Sequence, residues 1–274
     1  MRNFVILIIF SFMLTVTAKS QPPVEDSLPD EAIALLDGQV PSGSVNTARV
    51  TLPNGQSLQL VLSNLKTDRS IASNDADKVL TKLIGLFLEK ALELADDSKH
   101  QFAKGANDSE PKQDGLAYNY GSKDESSRQK MYGFPCVQKV YGLDCSGFMN
   151  LLFENAGFSG METLNAAQQS TANTLNNALG DVTDLLKAVN KGKLPLAQIT
   201  NGDIIYWDKL KGNAGSHIGI ALKEDNVIRV YQSNGSKNEC ENFKATRGPR
   251  WFLLDDPYWF AANSNWRVTR LEKK

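Results

Sequence analysis

The stretch SHIGIALKEDNVIRVYQSNG, residues 216–235, constrains the fold more than any other part of the chain. Two apolar runs flank a short polar turn, the pattern of an antiparallel hairpin with at least one face in a core. A tight turn about Glu224-Asp225 places His217 opposite Gln232, both on the face that Gly219 and Ala221 share. A turn one position further along places Asn234 there instead. Either amide can accept the imidazole N–H and hold one tautomer, the orienting role in a nucleophile–base–orienter triad.

Helical patterns precede this hairpin. SNDADKVLTKLIGLFLEKALELADD carries an apolar stripe at helical spacing behind a Ser73/Asn74/Asp75 cap. A second helix runs from Cys145 to about Ala156 and stops at Gly157, and a further helical region covers Met161 to Asn190. From Leu194 onward strand patterns dominate: DIIYW, HIGIAL, NVIRVYQS and WRVTRL. Nearer the N-terminus, VNTARVTLPNGQSLQLVLSNL alternates on both sides of Asn54-Gly55 and predicts a small β-hairpin. Residues 98–130 read as an extended polar loop. Helices followed by an antiparallel meander make an α+β order. The expected organisation is a signal segment over 1–18, an N-terminal extension with a β-hairpin over 19–70, and a main domain over 75–274.

Residues 1–18, MRNFVILIIFSFMLTVTA, combine one cation, an apolar run and small residues, as a secretory signal peptide does. The run from Phe4 to about Val16 is shorter than the roughly 20 residues a spanning helix needs. A secreted or periplasmic protein with no membrane span after cleavage is expected. Loss of Arg2 with the signal takes the formal charge from −1 to −2, which offers no electrostatic footprint for nucleic acid.

The motifs for other chemistries are missing: no Cys-x-x-Cys, His-Glu-x-x-His, glycine-rich phosphate loop or Gly-x-Ser-x-Gly. No metal or organic cofactor is implied. Cysteine catalysis remains, with three cysteines and two histidines to supply it. Cys145 stands at a helix start, where unpaired backbone N–H groups and a partial positive charge favour a thiolate and can stabilise an oxyanion. Gly147 leaves room for another chain to approach. His100 follows the polar end of a helix and reads as a solvated residue suited to the helix dipole.

DCSGF, GDIIYW and HIGIAL, in that order, resemble the motifs of the NlpC family of papain-like cell-wall cysteine peptidases, relatives of the CHAP amidases. YNYGS, residues 118–122, looks like that family's Tyr-x-(Trp/Tyr)-Gly-Gly with Ser for the second Gly. The resemblance covers about residues 75–274 and implies a papain-like fold, helices packed on a central antiparallel sheet. It makes Cys145 the nucleophile, His217 the base and Gln232 the third polar residue. It also puts Tyr118 near the nucleophile and lines the substrate site with Asp144 and Ser146. The implied substrate is a peptidoglycan stem peptide, cut between D-glutamyl and diaminopimelate. Asp144 is then expected to receive a free peptide amino end, so that unblocked peptides are preferred. A thiol acyltransferase, a lipid-directed hydrolase on the same scaffold, and a non-catalytic wall-binding module are the competing functions. Cys136 and Cys240 fall in loops that leave the site from neighbouring positions, and an oxidising compartment favours their pairing. Closing that loop is worth about 4–5 kcal/mol on the chain-entropy view.

Overall fold

The computed structural model describes residues 44–95, 101–103, 112–114, 116–118, 121–123, 129–130, 139–140, 142–208, 216–233, 248–254 and 266–274. The segment 1–18, His100, Cys136, Asn234 and Cys240 lie outside the described residues, and the expected disulfide with them.

Helix α1 spans Leu58–Leu65 and α2 spans Ala76–Leu94. Helix α3 is Cys145–Asn155, and two short helices follow, α4 over Ala166–Gln169 and α5 over Ala172–Ala178. The sheet contains β1 (Leu186–Gly192), β2 (Ile204–Trp207), β3 (His217–Glu224), β4 (Val227–Ser233), β5 (Pro249–Leu253) and β6 (Trp266–Lys273). Its strand order is β5-β4-β3-β2-β6-β1, antiparallel throughout. This is the expected α+β architecture. A parallel ladder of Ala117–Tyr118 with Gly142–Leu143 lies outside that sheet.

Alternation in the strands divides the apolar residues between two cores. Ile204, Tyr206, Ile218, Ile220, Leu222 and Tyr231 join the core formed with α1, α2 and α3. Ile205, Trp207, Ala221, Val230, Phe252 and Trp266 form a second core with opposite parity. On the helical side Phe87 of α2 meets Phe153 of α3 at 4.7 Å between ring centroids, and Asn155 Nδ2 donates to the Leu86 carbonyl. Asp75 caps α2 as its sequence predicts, and Gly157 takes φ +84° just past α3.

Two expectations are corrected. The N-terminal hairpin is reduced to a turn at Asn54-Gly55 and one bridge, Thr51 to Ser57, because LQLVLSNL continues as α1. Its apolar positions fit both periods. The helical choice buries Leu58, Val61 and Leu65 against α2, leaves Leu60 47% exposed, and gains a Ser57 cap. Gly85 makes the crossing possible, since a Cβ there would lie 2.5 Å from Val61 Cγ1. The extension therefore shares the core of the main domain. The second correction concerns 161–190, where the helical run ends early. Gly180 at φ +52° breaks it, a 3₁₀ turn follows, and 186–192 becomes edge strand β1 on β6, burying Leu186 and Ala188.

The aspartate of GDIIYW anchors the sheet. Asp203 is fully buried and accepts from Arg270 Nε and Nη2, each at 2.7 Å, and from the Thr200 N–H at 2.9 Å, so it ties the entrance of β2 to β6. Asp203→Ala strands a largely buried guanidinium and should lower the unfolding free energy by about 3 kcal/mol. Urea unfolding of the two proteins checks it, with Asp203→Asn falling between them.

Candidate active site

The hairpin of β3 and β4 carries the base. Its register runs from Val227–Glu224 to Tyr231–Ile220, so the turn holds Asp225 and Asn226, one position beyond the expected centre. Asp225 takes φ +52°, a conformation aspartate tolerates better than most residues. Continued one step, this register sets Gln232 opposite Gly219 rather than His217. The predicted contact nevertheless forms: His217 Nε2 lies 2.6 Å from Gln232 Oε1 along the diagonal of the ladder. Gly219 permits it. A Cβ at that position would stand 2.6 Å from the Tyr231 carbonyl and 3.0 Å from Gln232 Cβ, so the bare glycine gives the Gln232 side chain its path to His217.

This bond dictates the tautomer. An amide oxygen only accepts, so His217 Nε2 carries the proton and Nδ1 is left with a lone pair. His217 Nδ1 is buried and has no hydrogen-bond partner among the described residues. Burial pushes the His217 pKa down to about 4, against the opposing pull of the Gln232 bond and the Asp144 charge. The Trp207 ring packs beside the imidazole at 5.6 Å. The result is a neutral base with one nitrogen fixed and the other available.

The candidate nucleophile comes from the helical side. Helix α3 packs against β3 and β4, with Cys145 buried at its first position. Ser233, the last residue of β4, donates its hydroxyl to the Leu143 carbonyl at 2.7 Å and binds the hairpin to the chain just before the helix. Gln169 of α4 braces the first turn, its Nε2 donating to the carbonyls of Ser146 and Met161. The charge of Asp144, the neighbour of Cys145, reaches His217. Thiol and imidazole thus enter from different layers: Cys145 belongs to the helix-side core, whereas His217 has the parity of Ala221 and the second face.

The residues expected to line the substrate site cluster around the same helix start. Tyr118 is fully buried and pairs with Leu143 in the short parallel ladder. Asp144 caps α3: its Oδ1 accepts from the Gly147 N–H at 2.5 Å and from the Ser146 hydroxyl at 2.9 Å, and its Oδ2 from the Gly121 N–H at 3.0 Å. Lys123, which sequence reasoning passed over, also donates to both oxygens, at 2.8 and 2.9 Å, and to the Ser146 hydroxyl. Its only sequence signal is its place directly after YNYGS. The chain that Gly147 admits is this same segment, because a Cβ on Gly147 would fall 2.2 Å from the Ser122 carbonyl oxygen.

Among the described residues no group of three or more His, Cys, Asp or Glu is placed to hold a metal ion. A buried thiol at a helix N-terminus, with an oriented imidazole on the adjoining strand, suits acyl transfer through a thioester. Residues 115–249 match the model of the NlpC/P60 family, a span that contains Tyr118, Cys145, His217 and Gln232. No curated protein matches the chain.

A histidine held neutral makes stability depend on pH. The unfolded chain binds this proton near the ordinary value of 6.5 and the folded chain only near 4. The contribution is therefore complete above pH 6.5 and is lost as the pH falls toward 4, by up to about 3 kcal/mol. In urea titrations at pH 7 and pH 4, His217→Gln should lose less stability than wild type by about that amount.

Proposed function

We propose, from the premise that the chain belongs to the NlpC/P60 family over residues 115–249, that it is a cysteine hydrolase that cleaves amide bonds in bacterial cell-wall peptides. The finer reading is an exported endopeptidase acting between D-glutamyl and diaminopimelate of the stem peptide, with residues 1–18 as its export signal. The observation that carries the reading is the 2.6 Å contact of His217 Nε2 with Gln232 Oε1, which leaves a buried Nδ1 to act as base.

The chemistry follows from that tautomer. The Cys145 thiol gives its proton to His217 Nδ1 as the sulfur attacks the amide carbon. The C=O π bond opens and its electron pair becomes the oxyanion, which the backbone N–H at the start of α3 stabilises. Collapse re-forms the carbonyl and breaks the C–N bond. The leaving amine takes the proton from His217 Nδ1, and a thioester remains on Cys145. Water then adds to the thioester with His217 accepting its proton, and the thiol leaves reprotonated. Throughout, Gln232 accepts from Nε2–H and keeps the ring from turning. Tyr118 and Ser146 shape the approach to the sulfur.

Low access of bulk water suits this cycle. His217 is neutral before attack, so it can take the thiol proton, and the imidazolium it becomes is drawn toward Asp144.

Purified muropeptides incubated with the protein and read by mass spectrometry test the proposal. Cys145→Ala and His217→Ala should each abolish cleavage while leaving the thermal transition cooperative. Gln232→Ala should lower kcat by about 10- to 100-fold, because an orienting group adjusts geometry without joining the bond changes. Cleavage by Cys145→Ala at the wild-type rate would refute the thiol mechanism.

A further inference from the structure

The carboxylate beside the nucleophile already holds a cation. Lys123 Nζ donates to both Asp144 oxygens and to the Ser146 hydroxyl, with side-chain exposures of 22% for Lys123 and 3% for Asp144. Gly147 N–H and Ser146 Oγ–H also point at Oδ1, and Gly121 N–H at Oδ2. A carboxylate offers about four lone-pair sites, so these contacts leave Asp144 no acceptor for a ligand.

Lys123 is fixed in this position by its backbone. The Asp144 N–H donates to the Ser122 carbonyl at 3.2 Å, Gly121 N–H returns to Asp144 Oδ2, and the Cβ that Gly147 lacks would stand 3.1 Å from Lys123 Cα. A peptide ammonium that approached Asp144 would meet the Lys123 charge at close range. Entry would require it to displace one ammonium in order to install another, with no gain in charge pairing.

We propose that Lys123 selects for substrates whose amino end is acylated, such as stem peptides still joined to glycan through an amide, and rejects peptides that present a free ammonium. This rests on the wall-peptide hydrolase reading above and reverses the preference that the sequence predicts for Asp144. The acyl group removes the like charge and puts a neutral amide where Lys123 and Ser146 form the wall of the site.

The test uses the full chain and one stem tripeptide, L-alanyl-γ-D-glutamyl-diaminopimelate, with its amino end free or N-acetylated. Wild type should cleave the acetylated peptide with a kcat/KM at least about tenfold above that of the free one. Lys123→Met should shift this ratio toward the free peptide by about tenfold or more, while Lys123→Arg, which keeps the charge, should retain the wild-type order. A wild-type preference for the free amine, or a ratio unmoved by Lys123→Met, overturns the inference. Absence of cleavage of both peptides counts against the proposed function instead. In that case calorimetric titration of the Cys145→Ala protein decides the inference. Tighter binding of the acetylated peptide supports it; equal, reversed or absent binding overturns it.

Discussion

The contact between His217 Nε2 and Gln232 Oε1 is a side-chain bond laid diagonally across an antiparallel ladder, and the rest of the site depends on it. Three backbone features make it available. Asp225 at φ +52° closes the two-residue turn that sets the register, Gly219 clears the diagonal, and Ser233 at the end of β4 ties the hairpin to Leu143 before the nucleophile helix. Without the amide, a buried imidazole has two equivalent tautomers and a ring free to flip. With it, one nitrogen is spoken for and the other can serve the thiol. Burial then acts in the same direction by keeping the ring neutral.

The first turn of α3 is the second point of assembly. Asp144 caps the helix, takes Gly121 and Lys123 from the preceding segment, and acts on His217 through its charge. A buried ion pair is a weak source of net stability, because desolvation offsets most of the attraction. Its value here is positional. The pair holds residues 121–123 against Gly147, so the wall of the site is built from the same chain that carries Tyr118. Gln169 braces this turn from the opposite side.

Much of this was legible in the residues. α2 and α3 follow from caps and period, β3 and β4 from alternation, and the His217–Gln232 pairing from shared parity, even though the turn sits one position later. Parity survived that error because moving the turn centre by a whole residue moves each partner by two positions, which preserves the face. Local pattern failed where two periods coincide. Leu58, Leu60 and Leu62 alternate, yet Leu58, Val61 and Leu65 form a helical stripe, and packing on α2 at Gly85 decided between them. Strand β1 was hidden because its partner is β6 at the far end of the chain, and nothing local marks that pairing. Lys123 escaped for a related reason: its significance lies in a carboxylate 21 positions away, on another element.

The tautomer of His217 is the claim on which the mechanism stands, and nitrogen-15 NMR of the imidazole reads it directly. The measurement is cleanest in Cys145→Ala, where no thiolate perturbs the ring, with His100→Asn to assign the two histidines. Above pH 5 the account predicts a neutral ring with the proton on Nε2 and a bare Nδ1, whereas Gln232→Ala should give a mixture of the two forms. A proton found on Nδ1 in the protein with Gln232 intact would contradict it.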